Sequence, residues 1–367
     1  MRGLRTYMLV FLFLSGAYLY AFPTATVPYG GLVVLHLAAG LVLLWKVLPL
    51  SLRSGKDDPP ATRLGWTLLA SGGGIGVVLI FTGTPRPMRA WLYAHIGLCL
   101  GGVLCLTARW VERRGWFGSI TGARLLRYTV VLVGLSGLAA SAWWTREVRW
   151  ERAYRIENSP MPPATMDDEG DGARGPFFPS SAQTVHGGKI PARYFMQSQA
   201  CQRCHADIYE QWSSSAHRFS SFNNQWYRKS VEYMQEVAGV RASKWCAGCH
   251  DPALLFSGMF DTPIREQIDR PEAHAGMACV MCHSIATVKS TMGQGDYVIE
   301  YPKLHELAAS ENRVVRALHD FVVKMNPEPH RRTFLKPFVR AQTAEFCSTC
   351  HKVHLDVPVN HYRWVRG

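Results

Sequence analysis

The pattern of apolar and polar positions divides the chain into two parts. Long apolar runs dominate up to about residue 145, whereas the rest is polar, rich in His and Cys, and interrupted by Pro and Gly. A helix of about 17–25 mostly apolar residues is long enough to cross the hydrocarbon core of a bilayer. The first part therefore predicts five membrane spans, at about 7–22, 30–48, 65–83, 90–108 and 128–144.

The first two predicted spans are repeated by the next two. A shift of 59 positions places Phe22 on Phe81 and His36 on His95. This repeat indicates a duplicated helical hairpin. The short apolar run after the N-terminal arginines resembles a signal peptide, but a cleaved signal would not form half of a duplicated unit. We therefore expect the first span to remain in the mature protein.

The loop charges predict the orientation of these spans. The N-terminus and the loops 46–65 and 109–127 carry eleven Lys and Arg residues, and the opposite connections carry two. Positive loops stay on the cytoplasmic side, so we expect the N-terminus in the cytoplasm of a bacterial inner membrane. An odd number of spans then places the residues after 145 in the periplasm. The net charge of +13 lies largely beside the spans, so we do not expect nucleic-acid binding.

Eight of the ten cysteines belong to four CxxCH motifs. Chance predicts only about 0.01 such strings in a chain of this composition. Cysteines three positions apart lie on one helical turn, where both thiols can bond a porphyrin edge while the next His reaches the iron. We therefore predict four covalent c-type haems, attached at Cys201, Cys204, Cys246, Cys249, Cys279, Cys282, Cys347 and Cys350. The predicted proximal ligands are His205, His250, His283 and His351.

A zinc site built from the CxxC pairs is the alternative to haem. It is disfavoured because every second cysteine is followed directly by His, in a part of the chain predicted to be exported. Cys99 and Cys105 lie in an apolar run and are expected to be small buried residues.

The distal haem ligands have several candidates, because more histidines follow residue 150 than four bis-His haems need. The candidates are His217 and His330, then His274, His305 and His319, and also His354. A Met ligand would raise the potential of its haem.

His36 and His95 form a second candidate site. Each lies a few residues into a helix that enters from the outer side, roughly 10 Å deep at 1.5 Å per residue. An ionisable residue at that depth is costly without a partner and is therefore a functional candidate. Two histidines at equal depth fit both axial positions of one b-type haem. A quinone pocket or polar contacts between helices remain the alternatives.

The segment from Cys201 to His217, CQRCHADIYEQWSSSAH, resembles the opening of the cytochrome c-554 and hydroxylamine-oxidoreductase-related multihaem family. In that family a CxxCH is followed by an aromatic residue, a Trp and a Ser-x-His distal ligand. The resemblance covers about 190–355 and implies a mostly helical domain with closely stacked, largely bis-His haems and His217 as a ligand. The family's soluble members lack a five-span membrane domain. Many related chains continue with further haem motifs, so we expect that the chain is incomplete at its C-terminus or that a partner covers this end.

These patterns predict an all-α chain with three parts. A five-helix transmembrane bundle occupies 1–148, with the repeat at 8–48 and 65–108. A periplasmic linker rich in Pro, Gly and acidic residues follows at 149–192. A loop-rich, mostly helical tetrahaem cytochrome c domain takes up 193–367.

The predicted function is electron transfer between the membrane quinone pool, through haem b, and periplasmic or outer-membrane cytochromes. One alternative is an enzyme of nitrogen-oxide or hydroxylamine chemistry with a five-coordinate haem, beside which Tyr297, Tyr301 or His319 would serve. The other is a structural subunit of a larger respiratory or photosynthetic complex, in which the membrane part carries no cofactor.

Overall fold

A computed structural model describes residues 2–55, 58–113, 122–161 and 163–353. The chain is mostly helical and has one small sheet in the described part. The all-α fold class predicted from the sequence is therefore confirmed.

Five helices form the first part of the chain. They are α1 (Arg2–Ala21), α2 (Val27–Arg53), α3 (Pro60–Thr82), α4 (Arg89–Arg113) and α5 (Gly122–Ala153), with a 3-10 turn at Arg86–Met88. Four of them, α1 to α4, are long and apolar enough to cross a membrane, as far as the described residues allow the search. The fifth predicted span, 128–144, falls within α5, most of whose side chains there lie outside the described residues.

Small residues allow α3 and α4 to approach closely. A Cβ added to Gly102 would lie 2.9 Å from the carbonyl oxygen of Gly65, and one added to Gly65 would lie 3.2 Å from that of Gly102. Membrane helices commonly pack through such small residues, since lipid supplies no hydrophobic force between helices. α2 packs against α1 and α3, but α2 and α4 do not pack closely against each other over the described residues.

The ends of α1 and α5 lie together. The Arg146 guanidinium, near the end of α5, donates to the carbonyl oxygens of Tyr20 and Ala21 at 2.6 and 2.9 Å. A cation at a helix C-terminus satisfies carbonyls that lack partners and complements the helix dipole. α1 and α5 therefore end at the same end of the bundle, as expected if both run through it in the same direction.

The second part of the chain is built from short helices and three short strands. The helices are α6 (Ala192–Phe195), α7 (Ser198–Gln202), α8 (Ala206–Ser213), α9 (Gln225–Ala238), α10 (Val240–His250), α11 (Pro252–Ser257), α12 (Cys279–His283), α13 (His305–Ala308), α14 (Arg313–Met325), α15 (Glu328–Phe334), α16 (Phe338–Ala341) and α17 (Thr343–His351). Single 3-10 turns lie at Met166–Asp168, Gly172–Arg174, Met259–Asp261, Ile264–Glu266 and Pro271–His274. The strands are β1 (Gln183–Thr184), β2 (Ile285–Val288) and β3 (Tyr297–Ile299), of which β3 is central, parallel to β1 and antiparallel to β2.

The described chain forms two compact units. One comprises Met1–Val148 and Asn312–His330, and the other comprises Arg149–Glu311 and Arg331–Gly367. Helix α14 thus belongs to the unit of the membrane helices, although the sequence alone assigns it to the haem domain. The reason is its apolar face, since Met325 and Phe321 pack with Tyr29 and Val33 of α2.

Part of the predicted linker packs into the core of the second unit. Ile156, Phe177 and Ile190 are buried there with Tyr194 and Phe256. Apolar side chains scattered among Pro, Gly and acidic residues thus anchor this segment to the core. The composition of the segment predicts a linker, but part of the segment is packed.

Candidate haem-binding site

Three of the CxxCH motifs lie on helices, and the first spans the turn between two helices. The first joins α7 to α8, the second ends α10, the third forms α12 and the fourth ends α17. This places the two cysteines of each motif about one helical turn apart, on the same side. The local geometry that thioether attachment to one porphyrin edge requires is therefore present in all four.

The four motifs meet in pairs. The thiols of Cys201 and Cys279 hydrogen-bond to each other, which brings the first motif to the third. Those of Cys249 and Cys350 do the same for the second and fourth. Motifs far apart in the sequence are thus adjacent in the fold, as a cluster of closely stacked haems requires.

The surroundings of two cysteines favour neutral sulfur. Burial raises the pKa of Cys246 to about 11 and that of Cys282 to about 12. Because zinc binds cysteine as the thiolate, burial disfavours these two cysteines as zinc ligands. A thioether carries no charge and fits these apolar surroundings.

Two of the predicted proximal histidines are held through one ring nitrogen. The Nδ1 atom of His250 lies 2.7 Å from the carbonyl oxygen of Ser220, and Nδ1 of His283 lies 2.7 Å from that of Phe334. A metal-bound imidazole commonly donates its other N–H to a carbonyl, which fixes the ring. In both residues the second ring nitrogen, Nε2, would be the one to bind iron, so both fit the group that the sequence predicts.

A buried polar cluster surrounds His250. The Tyr227 ring stacks on the imidazole with a centroid distance of 4.3 Å and an interplanar angle of 15°. The hydroxyls of Tyr227 and Ser221 donate to the carboxyl group of Asp251, whose pKa is raised by burial to about 7. Burial also lowers the pKa of His250, which favours the neutral imidazole that binds metals.

His217 lies beside the fourth motif. Its imidazole ring and that of His351 have centroids 6.1 Å apart and an interplanar angle of 71°. The backbone of His217 is fixed because its carbonyl oxygen accepts from the N–H of Met277 at 2.9 Å, just before the third motif. The Trp212 indole N–H donates to the carbonyl of Met277 at 2.7 Å and closes this link.

The other distal candidates have different surroundings. The Nε2 atom of His274 lies 2.7 Å from the carbonyl oxygen of Ile268. His305 is buried between the rings of Tyr194 and Phe334. His319 and His330 fall in the unit of the membrane helices, and His354 lies outside the described residues. Their assignment as ligands stays a prediction.

The tyrosines considered for a substrate pocket have protein partners. The Tyr297 side chain is fully buried and donates to the carbonyl of Gly248 at 2.5 Å. The Tyr301 hydroxyl donates to Glu306. Both hydroxyls are thus held by the fold.

A turn that the sequence analysis missed joins the second motif to the fourth. Gly293, Gln294 and Gly295 all have positive φ, an arrangement that strains the non-glycine residue between them. The Gln294 side-chain oxygen accepts from the indole N–H of Trp245 in α10 at 2.7 Å, and the Gly295 N–H donates to the carbonyl of Thr349 in α17 at 2.8 Å. The sequence Gly-Gln-Gly was the available signal, since glycines on both sides mark a tight turn.

The membrane histidines are held alike in the two hairpins. Nδ1 of His36 lies 2.8 Å from the hydroxyl oxygen of Ser15 in α1, and Nδ1 of His95 lies 2.7 Å from the carbonyl oxygen of Gly72 in α3. Each ring is therefore oriented by the preceding helix of its own hairpin, through the nitrogen that would not bind iron.

Glycines adjoin both membrane imidazoles. A Cβ on Gly16 would lie 3.4 Å from Cε1 of His36, and one on Gly76 would lie 3.0 Å from Cε1 of His95. The two histidines are carried by α2 and α4, the helices that do not pack closely over the described residues. Two imidazoles with glycines beside them are a donor set that would hold a haem.

Comparison with known proteins gives one match. No curated protein and no solved structure matches the chain. The family described as cytochrome c554 and c-prime matches residues 200–284, which contain the first three CxxCH motifs and His217. This match confirms the resemblance expected from the sequence and implies covalent c-type haem. Residues 200–284, which follow the membrane helices, are therefore similar to cytochrome c554, and this similarity supports a c-type cytochrome in this part of the chain.

Proposed function

We propose that the chain is a membrane-bound multihaem cytochrome that transfers electrons between the quinone pool and an extracytoplasmic acceptor. The carrying observation is the matched pair of membrane histidines, His36 and His95, in a chain that also holds four CxxCH motifs. One b-type haem at the pair and four c-type haems at the motifs would provide the path.

The c-type haems would be held by the eight motif cysteines and by His205, His250, His283 and His351. When bound, each haem supplies a one-electron carrier. The described side chains orient the imidazoles, exclude water and thereby set the potentials. Ser220 and Phe334 supply the carbonyls that orient two of the ligands.

His217 is proposed as the distal ligand of the fourth haem. Two imidazoles bound to one metal through bonds of about 2 Å place their ring centroids roughly 6 Å apart. The 6.1 Å between His217 and His351 agrees with this value.

The b-type haem would be held by His36 and His95 through their Nε2 atoms. Ser15 and Gly72 fix the two rings through Nδ1, as groups that hydrogen-bond the other ring nitrogen do for metal-bound histidines. Both histidines lie nearer to the outer ends of their helices under the predicted orientation. Quinol oxidised beside them would therefore release its protons to the outer side.

A pyridine haemochrome spectrum of the purified full-length protein tests the proposal. We expect four c-type haems and one b-type haem per chain. His36→Ala and His95→Ala should each remove the b-type signal and keep the c-type signal. His186→Ala, which changes an exposed histidine, serves as the matched control and should change neither.

Two outcomes would contradict the proposal. If wild-type protein contains no haem b, the histidine pair serves polar packing between helices or quinone binding instead. A high-spin ferric signal that shifts when nitrite or hydroxylamine is added would favour an enzyme of nitrogen-oxide chemistry instead.

A further inference from the structure

Helix α14 has one apolar face along its whole length. Residues spaced three or four apart share a face of a helix, and this face carries Val314, Leu318, Phe321, Val322 and Met325. The C-terminal half of the face packs on α2. Met325 and Phe321 join the cluster of Tyr29 and Val33, and Val322 approaches Gly30.

Polar contacts fix this C-terminal half to the ends of the membrane helices. The backbone N–H and the hydroxyl of Thr84 donate to the carbonyls of Lys324 and Met325 at 2.9 and 2.8 Å. The Lys324 ammonium donates to the carbonyl of Phe81 at 2.8 Å, and the Asn326 side-chain N–H donates to the Tyr29 hydroxyl at 2.7 Å. The position of α14 on the bundle is therefore determined by side chains and backbone together.

The N-terminal half of the same face extends past these contacts. Val314 is 74% exposed and Leu318 is 54% exposed. The ends of α2 and α3 on which the helix is docked expose Val27 and Phe81 to 68% and 75%. Apolar side chains on α14 thus continue the apolar surface that the membrane helices present to lipid.

Charge also suits a lipid surface. Arg313, Arg316 and Lys324 lie on α14 against a single acidic residue, Asp320. An amphipathic helix with a basic polar side and an apolar side lies in the plane of the interface, with its apolar face among the upper acyl chains. Basic side chains then lie near the lipid phosphates.

We propose that α14 is an interfacial helix, and that Val314 and Leu318 insert into the lipid at the end of the bundle where α1 and α3 end. The partner is the bilayer itself. This inference rests on the membrane helices and is independent of the haem b proposal, so either can fail without the other.

Site-directed spin labelling of the full chain in nanodiscs of phosphatidylethanolamine and phosphatidylglycerol tests the proposal. Leu318→Cys and Val314→Cys are made in a background with Cys99→Ala and Cys105→Ala, since the motif cysteines are occupied by haem. We expect labels at both positions to be several-fold more accessible to oxygen than to a water-soluble nickel chelate. Arg313→Cys, which changes an exposed residue on the polar side of α14, is the matched control and should show a lower ratio.

The haem spectrum of each variant checks that the protein has folded. A water-like profile at Val314 and Leu318, with the nickel chelate favoured, would overturn the proposal. Labels shielded from both reagents would overturn it too, because they would show that protein, such as a second copy of the chain, covers this face.

Discussion

The imidazole rings of His217 and His351 lie with their centroids 6.1 Å apart, although the second and third haem motifs separate them in the sequence. His217 follows the helix that starts at the first motif, and His351 ends the fourth. A haem bound by both would connect the beginning of the cytochrome region to its end. Loss of the His217 imidazole should therefore change the ligation of the fourth haem, while its covalent bonds to the motif cysteines remain.

We predict that His217→Met raises the reduction potential of one c-type haem. Replacement of an axial His by Met raises the potential, and a shift of roughly 0.1 V is modest within the range of about 0.8 V that axial ligands span. A redox titration followed by EPR measures it. All four c-type haems should stay attached, because CxxCH supplies the covalent bonds. Unchanged potentials, equal to those of a His186→Met control, would show that His217 is not a ligand.

Gly76→Val should remove haem b and spare the c-type haems. A Cβ at this position already lies 3.0 Å from Cε1 of His95, so a branched side chain must displace the imidazole. Haemochrome spectra should show a several-fold loss of the b-type signal. Gly97→Val on α4 is the control, since a Cβ there meets no atom within 4 Å. Equal b-type content in the two variants would refute the assignment of His95.

Gln294→Ala should destabilise the cytochrome region by about 1 kcal/mol, the typical net contribution of one hydrogen bond to a half-buried donor. The donor is the Trp245 indole N–H, and alanine also keeps the strained positive φ. Urea unfolding followed by Soret circular dichroism measures the loss. Gln199→Ala, at an exposed position, should cost much less, and equal losses would argue against the turn as a connection between the second and fourth motifs.

Asp296 should make stability fall as the pH rises. Burial, with a contribution from Glu169, raises its pKa from 3.8 to about 7. Between about pH 4 and pH 7 the native protein therefore keeps a proton that the unfolded chain releases. The stabilisation from this proton is complete below about pH 4 and is lost as the pH rises through 7. Asp296→Asn should flatten this dependence, which is worth on the order of a few kcal/mol.

Thermal unfolding between pH 5 and 8 in detergent checks the prediction. The exposed Asp207→Asn variant provides the control. A wild-type protein whose stability rises over this window, or an Asp296→Asn variant with unchanged pH dependence, would contradict it.

The chemistry of the chain could be predicted from its sequence because that chemistry is local. The spacing in CxxCH places two thiols and an imidazole on adjacent helical positions wherever the motif occurs. The period and length of the apolar runs predict α1 to α4, and the repeat places His36 and His95 at equivalent positions of the two hairpins.

Tertiary structure alone decides which distant residues meet. No local pattern shows that Gln294 contacts Trp245, or that α14 leaves the cytochrome region to pack on Tyr29. The sequence likewise ranks His217 and His330 first among several candidate distal ligands without indicating which haem each would serve, and only the folded chain brings His217 to His351. The physical reason is that residues within one helical turn meet through backbone geometry, whereas distant residues meet only after the whole core has packed.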